Sequence, residues 1–135
     1  MIDLVYLFEH SSNVGSVLVA QMMSRFEYYN MLKKFGFGEK TGIDLPGESV
    51  GLLKSPARWD ASDHASMGYG YGSSVTAIQM VSAVSAIAND GVRVTPHVIK
   101  YSPEEEAIKI KKVQVMTPEH ARVVTELLTE SINRG

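Results

Sequence analysis

The sequence predicts a helix-rich fold with a small amount of β-strand. Residues 76–89 are apolar on almost every side apart from a narrow polar stripe, which is typical of a buried helix. Residues 117–119 read Thr-Pro-Glu, a cap followed by a proline and an acid, and predict a second helix to about residue 133. Partly alternating segments at 92–99 and 108–116 predict strands, the first of them interrupted by Pro96.

The amino-terminal quarter of the chain predicts further helices. Residues 2–8 have the pattern of a short buried helix, and residues 14–23 are apolar enough to be placed in the core. Residues 25–34 form either a separate helix or a kinked continuation, and Gly36 suits a left-handed stop. The glycine-rich stretch from 38 to 72 is predicted to be irregular, with short turns.

Composition limits the possible functions. The 135 residues are 44% hydrophobic and 21% charged, enough for one domain with a sizeable core. A formal charge of −2 offers no electrostatic case for nucleic acid or an anionic membrane. The absence of cysteine excludes disulfides and thiolate chemistry, and no apolar run approaches the ~20 residues of a membrane span. The histidines lack the spacing of a helical zinc pair, so no metal or organic cofactor is implied.

The most informative motif is Ser11-Ser12-Asn13, at the junction between the first two predicted helices. Two hydroxyls and a carboxamide there can present a donor, an acceptor and a proton relay to a cleft. The alternative is that these residues only cap a helix, because Ser and Asn are common N-caps. His10 borders Ser11 and raises a third reading, a Ser–His hydrolase, but no Gly-x-Ser-x-Gly elbow accompanies it.

Further motifs follow this tripeptide in a fixed order. They are Ser11-Ser12-Asn13-Val14-Gly15, Phe35-Gly36-Phe37-Gly38, Thr41-Gly42-Ile43-Asp44-Leu45-Pro46-Gly47-Glu48, Gly68-Tyr69-Gly70-Tyr71-Gly72, Val75-Thr76-Ala77-Ile78-Gln79, Ile87-Ala88-Asn89-Asp90-Gly91 and Pro96. In this order and spacing, the chain resembles the transpeptidase domain of class B penicillin-binding proteins over about residues 1 to 120. The resemblance implies an α+β fold with helices packed on an antiparallel sheet, the penicillin-binding protein/serine β-lactamase-like transpeptidase fold. This chain would be a helix-rich, central fragment of it.

The resemblance also assigns roles to the tripeptide. Members of this family combine a nucleophilic Ser-x-x-Lys, a Ser-x-Asn and a Lys-Thr-Gly strand. Ser11 matches the first position of Ser-x-Asn and is predicted to be catalytic, relaying a proton between the lysine and the leaving nitrogen. Asn13 is predicted to be catalytic and substrate-binding, donating to the substrate amide carbonyl and bracing the lysine. Ser12 is predicted to be structural.

Two of the three family motifs are not found where the resemblance requires them. No serine in the chain is followed three residues later by lysine, so the nucleophile is expected upstream of Met1. Lys40-Thr41-Gly42 runs into a loop-like stretch and is interpreted as coincidental, with the functional motif expected beyond Gly135. Residues 1–135 are therefore predicted to be an incomplete transpeptidase domain, inactive alone, and either marginally stable or held by partner chains.

The resemblance implies a peptidoglycan DD-transpeptidase that cross-links stem peptides through a serine acyl-enzyme and binds β-lactams. Its expected partners are D-Ala-D-Ala stem peptides, the rest of the domain and the cell-wall synthesis machinery. The full-length protein is expected to be anchored in the cytoplasmic membrane with this domain outside. Arg58-Trp59 resembles a pair in division-type members. A β-lactamase or β-lactam sensor of the same fold, and a non-catalytic interaction module, remain alternatives.

Two other clusters have structural interpretations. Residues 68–72 resemble a phosphate-binding loop only superficially, because no Lys-Ser/Thr follows, and are predicted to be scaffold under the helix at 76–89. The acidic run at 104–106 is predicted to be a solvated turn.

Overall fold

The computed structural model describes residues 3–134, which contain seven α-helices and two short antiparallel pairs of strands. The helices are α1 (Leu4–Glu9), α2 (Asn13–Gln21), α3 (Arg25–Lys34), α4 (Ala61–Met67), α5 (Ala77–Ala88), α6 (Pro103–Lys109) and α7 (Pro118–Arg134). The strands are β1 (Leu52–Leu53), β2 (Ser73–Ser74), β3 (Val92–Val94) and β4 (Lys112–Gln114), and Pro56–Arg58 forms a 3₁₀ turn. β1 pairs with β2 and β3 with β4. The predicted helix-rich α+β class is confirmed.

Each described helix is preceded by an Asp, Ser or Thr N-cap whose side chain accepts a hydrogen bond from a backbone N–H of the first turn. Ser24 and Glu27 form a capping box, so α3 is a separate helix and not a continuation of α2. Gly36 has φ +90° just beyond α3, which confirms the predicted left-handed stop. At the end of α5, Asp90 and Gly91 also have positive φ, as predicted for that stop.

Two helices lie where the sequence predicted other structure. α4 falls inside the stretch predicted to be irregular, and its capping box joins Asp60 to Asp63. α6 falls partly in the predicted strand 108–116, and it makes the acidic run the first turn of a helix instead of a turn. A capping box between Ser102 and Glu105 and a proline at the first helical position outweigh the short alternation of apolar residues there. The strand is consequently shorter than predicted and begins at Lys112.

The helix α5 is held by its polar stripe. Gln79 is 1% exposed, and its Nε2 donates to the carbonyl oxygens of Glu39 at 2.7 Å and Val50 at 3.0 Å. Its Oε1 accepts the N–H of Thr76 at 2.9 Å, so both ends of the amide are used. Ser82, Ala83 and Ala86 continue this buried side. The side of α5 that faces the described residues is thus made of small and polar residues.

The apolar side of α5 faces outward in the described chain: Val81 is 60% exposed and Val84 is 52% exposed. The same holds for α2, where Val14 is 68% exposed and only Gly15 and Ala20 are buried. The prediction that residues 14–23 lie in the core is therefore wrong for the described residues. The first helix is also exposed along one side, and its predicted start at Ile2 lies outside the described residues.

Candidate functional site

The Ser11-Ser12-Asn13 segment forms the sharp turn between α1 and α2. Ser11 has φ +44°, a left-handed backbone conformation that is uncommon for a residue with a side chain. Ser12 is the N-cap of α2, and its Oγ accepts the N–H of Gly15 at 3.2 Å. Asn13 is the first residue of the helix. The turn therefore places its first and third side chains on either side of a capping serine.

The three side chains have different surroundings. Ser12 is partly buried and engaged in the cap, which supports the prediction that it is structural. Ser11 and Asn13 are exposed, and neither side chain hydrogen-bonds to another residue within the range 3–134. The capping explanation therefore accounts for Ser12 but not for its two neighbours. A hydroxyl and a carboxamide remain available for a ligand at one edge of the fold.

The turn is positioned by contacts from distant parts of the chain. The Ser131 hydroxyl of α7 donates to the Phe8 carbonyl at 3.0 Å, at the end of α1. Gly15 faces Leu7 so closely that a Cβ on Gly15 would lie 2.7 Å from Leu7 Cδ1. A Cβ on Gly68 would lie 3.0 Å from both Ala20 Cβ and the Ser16 carbonyl oxygen. Gly68 is thus scaffold, as predicted, but it packs against α2.

Two long-range hydrogen bonds in this part of the fold were not predicted from the sequence. Ser131 follows Phe8 by 123 positions and occurs in an ordinary amphipathic helix, so no local signal marks it. The second is Tyr28 of α3, whose hydroxyl donates to the Met67 carbonyl at 3.1 Å, at the end of α4. Burial raises the pKa of Tyr28, so it stays a neutral donor at neutral pH.

His10 does not form a dyad with Ser11. Its ring stacks on the Tyr6 ring with centroids 4.0 Å apart, and its Nδ1 lies 3.1 Å from the Tyr6 carbonyl oxygen. The imidazole is thus directed back along α1, away from the turn that carries Ser11. This geometry disfavours the Ser–His reading, as expected for adjacent residues.

Lys40-Thr41-Gly42 lies in a loop and not in a strand. The buried Thr41 donates its N–H to Glu48 Oε1 at 2.6 Å and its hydroxyl to the same atom, and Gly42 donates to Oε2 at 3.1 Å. Burial raises the pKa of the Glu48 carboxyl, but these hydrogen bonds lower it more strongly, so the net shift is downward. The threonine hydroxyl of this motif is therefore occupied by a structural contact.

Neither a metal centre nor a membrane span is found in the described part of the chain. Across residues 3–134, no group of three or more His, Cys, Asp or Glu side chains is arranged to hold a metal ion. No helix in the same range is long and apolar enough to cross a bilayer.

Comparison with known proteins identifies the family. The model of the penicillin-binding protein transpeptidase domain matches residues 1–135. The chain therefore belongs to the penicillin-binding protein transpeptidase family, in agreement with the Ser-x-Asn turn and the helix-rich α+β fold.

Individual relatives match nearly the whole chain. It is 38% identical over 133 residues to penicillin-binding protein PbpB of Mycobacterium tuberculosis, covering 95% of this chain and 20% of that protein. It is 29% identical to the probable peptidoglycan D,D-transpeptidase PenA of Neisseria flavescens, covering 99% and 32%. The ampicillin complex of M. tuberculosis penicillin-binding protein 3 superposes with a TM-score of 0.83 and 40% identity, over 90% of this chain and 28% of that one. The chain thus spans between a fifth and a third of these relatives.

Proposed function

We propose that the protein containing residues 1–135 is a peptidoglycan D,D-transpeptidase and that this segment supplies its Ser-x-Asn motif. One observation carries the proposal: Ser12 alone caps α2, while the Ser11 hydroxyl and the Asn13 carboxamide stay exposed and unengaged within residues 3–134. Family membership supplies the reaction class, because relatives that match most of this chain carry the name peptidoglycan D,D-transpeptidase.

In the proposed reaction, the nucleophilic serine oxygen bonds to the carbonyl carbon of the penultimate D-alanine. The bond to the terminal D-alanine nitrogen breaks, and that nitrogen gains a proton. An amine of a neighbouring stem peptide then resolves the ester and forms the cross-link. The same serine is acylated by β-lactams, as expected for a relative of a protein whose structure was solved with ampicillin.

Ser11 is proposed to relay the proton to the leaving nitrogen. A hydroxyl cannot serve as a free base near neutral pH, so it needs a lysine that takes up and returns the proton. The left-handed backbone conformation of Ser11 ends the helical path of α1 at this residue. Asn13 is proposed to donate to the substrate amide carbonyl and to brace the lysine.

Residues 1–135 are proposed to be the central, incomplete part of the transpeptidase domain. The nucleophile helix is expected before this segment and the Lys-Thr-Gly strand after it. The outward-facing apolar sides of α2 and α5 support this proposal, because large apolar patches are rarely left exposed in a complete soluble domain. The relatives, of which the chain covers at most a third, support it independently.

The cellular setting is proposed by the same argument. Cross-linking takes place outside the cytoplasmic membrane, so this domain is proposed to lie there, with its anchor elsewhere in the full-length protein. Stem peptides ending in D-Ala-D-Ala are the proposed substrates, and the cell-wall synthesis machinery the proposed partner.

The test is covalent labelling by a fluorescent penicillin, read by intact mass, on residues 1–135 and on the full-length protein. We expect a single lasting adduct on the full-length protein and none on residues 1–135. Labelling of the short chain would mean that one of its own serines is the nucleophile. Rapid loss of the adduct by hydrolysis would instead indicate a β-lactamase.

Substitutions in the full-length protein separate the roles within the turn. We expect Ser11→Ala to slow acylation by roughly 10²–10⁴-fold, the usual range for loss of a proton-transfer group. Ser12→Ala is the matched control: it loses the cap, which costs about 1 kcal/mol of stability, but should leave the acylation rate nearly unchanged. Equal effects of the two substitutions on acylation would mean that Ser11 has no specific role in proton transfer.

A further inference from the structure

A basic pocket lies on a part of the fold that the proposed function does not use. It has a volume of about 380 Å³ and is bounded by the loop at 39–42, by the end of α6 and by the antiparallel strands β3 and β4. The two strands with their flanking residues are called the hairpin below, although α6 lies in the connection between them. Its basic lining residues are Lys40, Arg93, Lys109 and Lys111, and its acidic one is Glu39. This concentration of positive charge stands out because the whole chain has a formal charge of −2.

Two of the four cations already have partners. Arg93 Nη2 lies 3.5 Å from Glu39 Oε1, and Glu39 also pairs with Lys33 at 3.0 Å. Lys109 pairs with Glu105 at 3.3 Å, and its Nζ sits 4.5 Å from the centroid of the Tyr101 ring. The carboxylates of Glu39 and Glu105 are therefore already paired with other cations.

Lys40 and Lys111 have no ion pair with another residue in the range 3–134. One lies on the loop and the other on the hairpin, and both line the pocket. Both ammonium groups are exposed, so a solute can reach them.

The backbone beneath both lysines is held in place. On the hairpin, Thr95 N–H donates to the Lys111 carbonyl at 3.0 Å, and Lys111 N–H donates to Thr95 Oγ1 at 3.1 Å. On the loop, Thr41 follows Lys40 and is bound by Glu48 through its N–H at 2.6 Å. The Glu48 carboxylate does not line the pocket; it accepts hydrogen bonds from Thr41 and Gly42 and attracts Lys40 without forming an ion pair with it. The backbone positions of both lysines are therefore fixed.

We propose that this pocket binds a phosphate group. The unpaired cations are lysines, compact point charges that suit a tetrahedral anion, whereas the forked guanidinium of Arg93 is already directed at Glu39. The net positive charge of the lining favours a phosphate over a carboxylate of charge −1. The volume falls within the range of small-ligand pockets, about 300–1,000 Å³. The phosphate comes either from a soluble molecule or from a lipid headgroup.

The pocket and the Ser-x-Asn turn involve different elements. The turn joins α1 to α2, while the pocket is formed by the loop after α3 and by the hairpin that contains β3 and β4. Phosphate binding can therefore be tested separately from acylation. A failure of one proposal would not resemble a failure of the other.

The experiment uses the full-length protein and isothermal titration calorimetry with inorganic phosphate, at constant ionic strength maintained with chloride. We expect saturable binding that weakens about tenfold or more in the double variant Lys40→Gln/Lys111→Gln, since each lysine supplies one attractive charge close to the anion. The matched control is Lys34→Gln/Lys100→Gln, which removes the same charge from exposed lysines outside the pocket. It should bind phosphate like the unaltered protein.

A second variant guards against loss of binding through misfolding. Glu39→Gln removes the acidic lining residue and should tighten phosphate binding several-fold, a gain that damage to the fold would not produce. Each variant is also labelled with penicillin, and a rate equal to that of the unaltered protein shows that the domain is folded.

A flotation assay distinguishes the two sources of phosphate. A lipid headgroup would be identified by binding to phosphatidylcholine vesicles only when they contain phosphatidylglycerol. The affinities of the variants for these vesicles should then rank as they do for inorganic phosphate. Binding of inorganic phosphate without vesicle binding would identify a soluble ligand. The proposal is overturned if neither probe binds, or if the control double variant loses as much affinity as the pocket variant.

Discussion

The loop and hairpin region, residues 36–53 and 92–101, differs from the helical region around the candidate site in what holds it together. In the loop and hairpin region, carboxylates satisfy backbone N–H groups: Asp44 accepts from Val98 and Ile99, both at 2.9 Å, and Glu48 accepts from Thr41 and Gly42. In the helical region, by contrast, α2, which begins at the candidate site, and α5 present apolar side chains outward, led by Val14 and Val81.

The two kinds of contact differ in whether they need a further partner. A hydrogen bond from a backbone amide to a charged carboxylate is satisfied within the chain and needs no further partner. An exposed apolar helix face gains its stabilisation only when another surface covers it. The carboxylate contacts of the loop and hairpin region are thus satisfied within the chain, whereas the apolar faces of α2 and α5 would gain stability only from a surface that covers them.

The largest expected effect is at Gln79, which joins the two regions. In the full-length protein, Gln79→Ala should lower the free energy of unfolding by about 2–4 kcal/mol, because it leaves the part-buried carbonyls of Glu39 and Val50 without this donor. Urea denaturation measures the change. Gln21→Ala, at an exposed position near the end of α2, is the control and should stay within about 0.5 kcal/mol. An equally small effect at Gln79 would mean that the two regions are not coupled through this side chain.

A smaller effect tests the exposed helix face. In the full-length protein, Val84→Gln should cost about 1–3 kcal/mol, since we expect that face of α5 to be covered there and an amide would be buried without a partner. The control is Val98→Gln, an exposed valine of the loop and hairpin region, which should cost less than about 0.5 kcal/mol. Similar small costs at both positions would show that α5 remains uncovered and would contradict the contrast between the regions.

The smallest expected effect is the pH dependence contributed by Asp44. The N–H of Val98, followed by that of Ile99 and the Tyr101 hydroxyl, lowers the pKa of Asp44, while partial burial opposes the shift. A lowered folded-state pKa adds stability above the unfolded value of about 4, and this stability is lost as the pH falls through the folded-state pKa. Asp44→Asn should therefore lower the urea midpoint at pH 6 and converge with the unaltered protein at low pH.

Tyr101→Phe provides the matched comparison for Asp44, because it removes one of three donors to the carboxylate and keeps the ring. Its pH dependence should lie between those of the unaltered protein and Asp44→Asn. A constant difference between Asp44→Asn and the unaltered protein from pH 6 to low pH would show that the effect of Asp44 is not electrostatic.

Much of the fold was predictable from local signals. The helices α3, α5 and α7 were predicted because caps, stops and apolar spacing all lie within a few residues of one another. The Ser-x-Asn motif was located by the same kind of local reading, together with family resemblance. The helices α4 and α6 had capping boxes at Asp60 and Ser102 that could have revealed them. The glycine content of residues 38–72 instead indicated irregular structure at α4, and the short alternation at residues 108–116 indicated a strand at the end of α6.

Other features depended on residues far apart in the chain. The pattern of α5 showed an apolar helix with a polar stripe, but it could not show that the stripe faces inward, because Gln79 is satisfied by carbonyls 40 and 29 positions away. The support of the candidate site by Ser131 likewise has no local signature. The basic pocket arises because the loop with Lys40 lies beside the hairpin with Lys111. Sequence patterns encode helix formation through neighbouring residues, whereas the direction of a face and the meeting of distant charges depend on how the elements pack.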